Sequence, residues 1–298
     1  MEFMIGVHSM PDYLARLFYL GDLYYGSQYQ PGFDTVQGKL IDALEKWSGE
    51  EHSPQTVQLS GRTDRGVHSI GQLVMVTTKK QIDVDKINKL LPEDIQLWAS
   101  AKAPSNFKPR YSVLMRHYRY YLTEAWEAID SKLVKDAINI LIGSNDFSQL
   151  SKPDTGRNTK TTILNISLHN SNDTLFLDIY GTRFLWKLVR KIVTLLADVG
   201  VRDIQIDELN NILSGQAKIS GGIKPAPSEN LILVESVIPL KLKTSTYAIR
   251  RITTHLKERF EYHKRSVKTL GNVIDYFSEP KMTFQSSTKQ RSHSKPWD

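Results

Sequence analysis

The segment SGRTDRGVHSIGQ, residues 60–72, holds the residues whose types and spacing could do chemistry. Its turn is flanked by glycines and displays Arg62 and Asp64 two residues apart. A cation at that spacing could hold the carboxylate ionised and aimed at a substrate. The alternative is that Asp64 caps an ordinary turn in which Gly66 supplies backbone freedom. Because such turns are common, the local sequence alone favours this second interpretation.

Composition restricts the chemistry that the rest of the chain can supply. The 298 residues include no cysteine, which excludes disulfides, thiolate nucleophiles and cysteine-ligated metal sites. The eight histidines show no H-E-x-x-H or similar spacing, so no metal site is indicated. Catalysis would therefore use carboxylate, hydroxyl, lysine or histidine groups.

Strands and a helix must position the turn. Residues 57–60 predict a strand that leads into it, residues 72–78 a strand that leaves it, and residues 14–20 an earlier strand. After a Gly- and Tyr-rich connection over residues 21–32, Asp34 is the expected N-cap of a helix, with Gln37 three residues later. One apolar stripe supports that helix: Val36, Leu40, Ile41, Leu44 and Trp47.

The next strand is predicted at residues 116–122. Strict alternation of its side chains places polar groups on both of its faces. Arg116, Tyr118 and Tyr120 share one face, and His117, Arg119 and Tyr121 share the other. One of the two faces is expected to border a site.

The second half of the chain repeats this mixture of elements. Helices are predicted at residues 133–142, closed by Gly143, and at residues 184–199, closed by Gly200. Strands are predicted at residues 163–168, 175–179 and 231–237. Two such halves, residues 1–125 and 126–240, predict an α+β fold with helices on one side of a sheet and a cleft between the halves.

Charge separates the end of the chain from the rest. The whole chain has a net charge of +7, which indicates a polyanionic partner. Residues 241–298 hold 13 Lys and Arg against 5 Asp and Glu, a net of +8, whereas residues 1–240 hold 26 against 27. We expect a basic extension that is helical over residues 246–277 and disordered over residues 286–298.

Neither secretion nor membrane spanning is expected. No basic and apolar leader opens the chain, and charged residues interrupt its most apolar stretch, residues 184–199.

The turn resembles the signature of TruA-family pseudouridine synthases, a Gly-Arg-Thr-Asp-x-Gly-Val-His run followed by Gln. The resemblance continues in order through YYGSQYQPG and TVQGKL, RHYRYYL, GSNDFS, GTRFLWKLVRKIV and APSENLILVESV. It covers nearly all of residues 13–240 and is expected to leave out residues 241–298. It implies the pseudouridine synthase fold, a mixed and mostly antiparallel sheet built from two similar halves, with helices packed on it and a central catalytic cleft.

The resemblance also implies roles for four residues. Asp64 corresponds to the catalytic nucleophile, and Arg62 helps to place the flipped nucleotide. Tyr118 stacks on the target base, and Arg190 pairs with the catalytic carboxylate. Each role has a structural alternative: Tyr118 could be an ordinary strand aromatic, and Arg190 could share a solvated helix face with Arg183 and Trp186, at positions i, i+3 and i+7.

Other candidates are weaker. Gln28 and Gln30 fit RNA contacts and plain turn polarity equally well. Arg65 stands where many family members have a small residue, which could add a phosphate contact, and Arg183 is a further candidate RNA contact. His68 has no evident partner and is interpreted as structural.

The implied function is isomerisation of uridine to pseudouridine in tRNA, on the 3′ side of the anticodon stem-loop at tRNA positions 38 to 40. The family acts without a metal or an organic cofactor, usually as a homodimer, and a cytoplasmic location is expected. Asn145 in place of a frequent His, and a missing Trp after Tyr25, leave the tRNA positions less defined. The alternatives are an RNA-binding scaffold with little activity and a carboxylate glycosidase, although the turn offers one carboxylate where a glycosidase needs two.

Overall fold

The computed structural model describes residues 10–151, 158–171, 174–214, 216–217 and 221–278. In these ranges the strands are β1 (Asp12–Tyr19), β2 (Val57–Leu59), β3 (His68–Thr77), β4 (Ile95–Lys102), β5 (Met115–Tyr121), β6 (Gly143–Asp146), β7 (Lys160–Ser171), β8 (Thr174–Gly181), β9 (Leu231–Val237) and β10 (Lys243–Thr244). The helices are α1 (Val36–Ser48), α2 (Val84–Asn88), α3 (Ser131–Leu141), α4 (Leu188–Gly200), α5 (Ile206–Leu213) and α6 (Thr246–Ser278). Every strand and helix predicted from the sequence is present; β9 has the predicted bounds, and the ends of the others are shifted.

A single sheet runs through both halves in the order β10-β4-β1-β3-β9-β5-β8-β7-β6, and β2 pairs with β3. Within the described ranges its pairs are antiparallel except β3 with β9, which are parallel and join the first half to the second. The predicted α+β class with a mixed, mostly antiparallel sheet is therefore confirmed. The expected boundary at residue 125 falls after β5, which pairs with both β8 and β9.

A bulge in β3 keeps the helices of both halves on one face of the sheet. Leu17 pairs with Gln72, but Tyr19 pairs with Ser69, so β3 has one extra residue between these pairs. Ser69 consequently faces the same side as Leu17 and Tyr19, and it pairs with Leu233 of β9. The core beneath α1 and α2 and the core beneath α3, α4 and α5 thus lie on the same side.

The beginning of α1 differs from the prediction. Thr35, rather than Asp34, is the N-cap, and its side chain accepts a hydrogen bond from the Gly38 N–H. Gln37 does not complete a capping box. Its amide instead accepts from the Tyr29 N–H at 2.8 Å and donates to the Val57 carbonyl at 2.6 Å, so it ties the 21–32 connection to β2.

The beginning of α4 differs as well, with a larger consequence. The helix was predicted from residue 184 but begins at Leu188, because Lys187 adopts a left-handed conformation with φ of 63°. Arg183 and Trp186 therefore lie outside the helix, and the predicted stripe that they share with Arg190 is wrong.

The chain divides into two compact units, residues 1–252 and 253–298. Residues 241–252 belong to the first unit, where Leu242 and Ala248 are buried and Arg251 donates to the Asn88 carbonyl. The predicted helix over residues 246–277 is confirmed as α6. The disorder predicted for residues 286–298 lies outside the described residues. No helix in the described part of the chain combines the length and the apolar character needed to cross a membrane.

Candidate active site

The turn that carries Asp64 is held by backbone hydrogen bonds on both sides. The Val67 N–H donates to the Asp64 carbonyl at 3.2 Å, and the Gly66 N–H donates to the Gly21 carbonyl at 3.1 Å. Gly66 has φ of 86°, and a Cβ at that position would lie 2.5 Å from the Ser228 hydroxyl. Glycine is therefore required there both by conformation and by space.

The Gly- and Tyr-rich connection supports the turn from the side. The Thr63 N–H donates to Ser27 Oγ at 2.8 Å, and the Ser27 N–H donates to the Thr63 carbonyl at 3.2 Å. The hydroxyl groups of Tyr19 and Thr63 are 2.8 Å apart. These contacts fix the backbone next to Asp64, because Ser27 and Tyr19 are fully buried.

Each carboxylate oxygen of Asp64 accepts a hydrogen bond from the second half of the chain. Arg190 Nη1 lies 2.7 Å from Oδ2, and Trp186 Nε1 lies 2.8 Å from Oδ1. The side chains of Asp64 and Arg190 are 16% and 13% exposed, so the ion pair is shielded from most solvent yet remains reachable. An ion pair in such surroundings is stronger than one on an open surface.

Arg190 is itself held in place. Its Nε donates to the Ala226 carbonyl at 2.6 Å, and the Ala226 N–H donates back to the Arg190 carbonyl at 3.1 Å. The segment after residue 226 also approaches the turn, where Ser228 limits the space beside Gly66. Residues far apart in sequence thus converge on one carboxylate, and the solvated helix face considered for Arg190 is wrong.

Tyr118 and Tyr120 line the same face of β5 beneath this pair. Both side chains are buried, and the ring of Phe184 meets Tyr118 edge-on with centroids 5.0 Å apart. Burial raises the pKa of Tyr118, and the nearby charge of Asp64 adds to the rise. Burial likewise raises the pKa of Tyr120 to about 12. Both phenols therefore keep their protons at neutral pH.

Arg116 is a supporting residue that the sequence did not single out. Its guanidinium is buried and donates to the Ser60 carbonyl at 2.6 Å and to the Thr182 carbonyl at 3.0 Å. One cation therefore joins the strand end before the turn to the segment before α4. The sequence contained a signal for this role, because alternation places Arg116 on the same face of β5 as Tyr118.

The structure places most of the other predicted contact residues at the surface. Arg62 and Arg65 are exposed, and the Arg65 guanidinium lies 4.4 Å from the ring centroid of Tyr25. Arg183 is exposed and donates to the backbone carbonyls of Asn158 and Lys160. Gln28 is half-buried, and exposed Gln30 donates to the Tyr25 carbonyl at 3.0 Å.

Two further residues have structural contacts. His68 Nδ1 accepts from the Gly21 N–H at 3.1 Å, in agreement with its interpretation as structural. Asn145 donates to the Ile140 and Leu141 carbonyls at the end of α3, where a helix leaves carbonyl groups without intrahelical partners.

No three His, Asp or Glu side chains in the described ranges are grouped in a way that could hold a metal ion.

Comparison with known proteins identifies the family. The profile described as tRNA pseudouridine synthase matches residues 17–112 and 137–237. The chain is 36% identical to tRNA pseudouridine synthase A of Methanothermobacter thermautotrophicus, over 89% of this chain and 95% of that protein. The corresponding proteins of Methanosarcina acetivorans and Pyrococcus abyssi are 34% and 32% identical, over 88% and 87% of this chain and 98% and 97% of theirs. The chain therefore belongs to the tRNA pseudouridine synthase family.

The aligned relatives also correct one expectation. The match covers 89% of the chain, which is more residues than the span 13–240 contains. The twelve residues before that span are too few to account for the difference. The likeness therefore extends past residue 240, into the region that was expected to lie outside it.

Proposed function

We propose that this chain isomerises uridine to pseudouridine in tRNA, with Asp64 as the catalytic carboxylate. The observation that carries the proposal is the Asp64–Arg190 pair, which joins a turn of the first half to α4 of the second. The relatives named tRNA pseudouridine synthase A support tRNA as the substrate.

The reaction requires one nucleophile and no redox centre. The bond between uracil N1 and ribose C1′ breaks, a bond between C5 and C1′ forms, C5 loses a proton, and N1 gains one. Asp64 either attacks C1′ or assists the departure of uracil, and it then helps to remove the C5 proton. Arg190 pairs with the Asp64 carboxylate at 2.7 Å and holds it in position for these steps.

The target base must leave its stack before Asp64 can reach the ribose. Tyr118 provides an aromatic platform for the flipped base, and Arg62 assists its placement. Arg65, Arg183, Gln28 and Gln30 supply further contacts to the RNA. We assign the target uridines to the 3′ side of the anticodon stem-loop, at tRNA positions 38 to 40, and the enzyme to the cytoplasm.

We also propose that the protein is a homodimer, and α6 supports this independently. Leu256, Phe260, Val267, Leu270, Ile274 and Phe277 follow one another at steps of three, four or seven residues, and five of them are more than 60% exposed. This is the a and d spacing of a coiled coil, with His263 at the remaining position. Pairing with a second copy would cover these side chains.

Tritium release tests the activity directly. A tRNA transcript labelled at uridine C5 loses tritium on isomerisation, and we expect the wild-type protein to release it and modified-base mapping to locate pseudouridine in the anticodon stem-loop. Binding without release would support the RNA-binding scaffold instead. Release from other positions would overturn the assigned target and leave the reaction in place.

A further inference from the structure

The indole N–H of Trp186 contacts the carboxylate that is proposed to react. The sequence had placed Trp186 only on a possible helix face and gave it no functional role. Trp186 Nε1 lies 2.8 Å from Asp64 Oδ1, within the range of a hydrogen bond between a neutral donor and a charged acceptor. The side chain is 49% exposed, so burial does not explain its position.

The chain is anchored both before and after Trp186. Before Trp186, Phe184 packs edge-on against Tyr118 and leaves no room for a Cβ at Gly181. After it, Lys187 takes the left-handed conformation, and Leu188 enters the core at the first residue of α4. A non-glycine residue in that region has a conformational cost, which persists where surrounding structure demands the geometry. The anchored segment therefore aims the indole at Asp64.

The two donors to Asp64 complement each other. Arg190 binds Oδ2 and Trp186 binds Oδ1, so rotation of the carboxylate about its own axis would lose both hydrogen bonds. A carboxylate has about four acceptor positions, and one donor on each oxygen leaves capacity for the reaction. Because an indole donates but does not titrate, Trp186 can hold the oxygen without exchanging a proton with it.

We propose that Trp186 is a positioning residue for the isomerisation and that it acts by fixing the direction in which Asp64 faces the ribose C1′. This inference rests on the proposed function. Misorientation of a reacting group slows the chemical step more than it weakens substrate binding. The loss should therefore appear in kcat, with KM for tRNA nearly constant.

Three substitutions isolate the N–H group. Trp186→Phe keeps an aromatic ring and removes the donor, and it should lower kcat about 10- to 100-fold. Trp186→His keeps a ring nitrogen at nearly the same distance from Cβ, and it should recover at least about 3-fold over the Phe variant when assayed near pH 8, where the imidazole is neutral. Trp98→Phe is the matched control, since Trp98 donates its indole N–H to the Ile70 carbonyl at 2.7 Å and makes no described hydrogen bond to Asp64.

The assay is tritium release under single-turnover and steady-state conditions, beside thermal unfolding of each variant. A kcat loss in Trp186→Phe with unchanged KM and Tm, and partial recovery in Trp186→His, is the expected result. Wild-type kcat in Trp186→Phe, or a loss that histidine does not recover, would overturn the role of Trp186 and leave the proposed activity standing. No release by the wild type would overturn both.

Discussion

Asp64 and Asp178 are two shielded carboxylates with similar partners, but they accept different numbers of hydrogen bonds. Asp64 accepts one hydrogen bond from Arg190 and one from the Trp186 ring. Asp178 accepts two from Arg119, each at 2.8 Å, and a third from His117 at 2.8 Å. His169 lies 3.6 Å from its second oxygen. Among the hydrogen bonds described, Asp178 thus fills three of about four acceptor positions and Asp64 fills two.

The difference separates a structural carboxylate from a candidate reactive one. Asp178 is on the face of β8 opposite to Leu177 and Ile179, which pack into the core beneath the helices, so it lies on the sheet face away from Tyr118. Its ion pair with Arg119 joins neighbouring strands β5 and β8. The Asp64 pair instead joins a turn of the first half to α4 of the second half. Partner type alone therefore does not predict role, and the number of acceptor positions left over is more informative.

Exchanging each carboxylate for an amide should give opposite results, and this is the largest effect that we predict. Asp64→Asn should lower turnover on the order of 10³-fold or more with little change in the free energy of unfolding. Asp178→Asn should keep turnover and lower the free energy of unfolding by about 2 kcal/mol, because Arg119 and His117 lose a charged partner. Tritium release and urea unfolding of the two variants measure both quantities. Loss of turnover in Asp178→Asn with full stability would reverse the comparison.

Tyr118 should matter through its ring. Tyr118→Phe keeps the stacking surface and should turn over within about 3-fold of wild type, whereas Tyr118→Leu should lose about 10- to 100-fold in kcat. Tyr120→Leu controls for damage to the core, because Tyr120 is equally buried on the same face of β5. Equal turnover of the Leu and Phe variants at position 118 would show that stacking is the wrong role.

Acid should weaken the Asp178 contacts. Burial alone would raise the pKa of Asp178, but the hydrogen bonds from Arg119 and His117 outweigh it and hold the pKa below its ordinary value. A lowered pKa in the folded state contributes stability that is present above the unfolded pKa, near 4, and is lost as pH falls through the folded value. The stability difference between wild type and Asp178→Asn should therefore narrow below about pH 4 in urea unfolding across pH. A difference that stayed constant down to pH 2 would contradict this.

The smallest effect should come from the C-terminal unit. Residues 253–298 hold 9 Lys and Arg against 5 Asp and Glu, a net of +4, so half of the +8 excess after residue 240 belongs to residues 241–252 of the first unit. Truncation after Ile252 spares buried Leu242 and Ala248, and it should weaken tRNA binding a few-fold, flatten its salt dependence and leave the modified positions unchanged. Because truncation also removes the α6 side chains proposed to pair two copies, full-length protein with Lys257, Arg259 and Lys264 changed to Gln tests the effect of charge alone. Parallel salt slopes would refute the electrostatic role.

Much of the fold could be predicted from apolar periodicity, which places β9 at its observed residues and the stripe of α1 on its core. The ends of helices were less predictable. At the start of α1 the Tyr25 N–H donates to the Asp34 carbonyl, and Thr35 instead of Asp34 is the N-cap. At the start of α4 the left-handed Lys187 ends a pattern that continued to residue 184. In the site, the family resemblance led to Asp64 and Arg190, which the structure brings within 2.7 Å. The Trp186 contact could not be predicted, because the sequence predicts that the helix begins at residue 184. A helix with that start places Trp186 on the same helical stripe as Arg190.

Release of tritium by Asp64→Ala, measured with enzyme in excess over a C5-labelled tRNA, tests the central claim most directly. The carboxylate acts on one ribose, whereas many phosphates hold the RNA, so binding and chemistry should separate. We predict that the variant binds tRNA within a few-fold of wild type and releases no tritium while wild type completes a turnover. Substantial release by the variant, at matched occupancy, would contradict the assignment of Asp64 as the catalytic carboxylate.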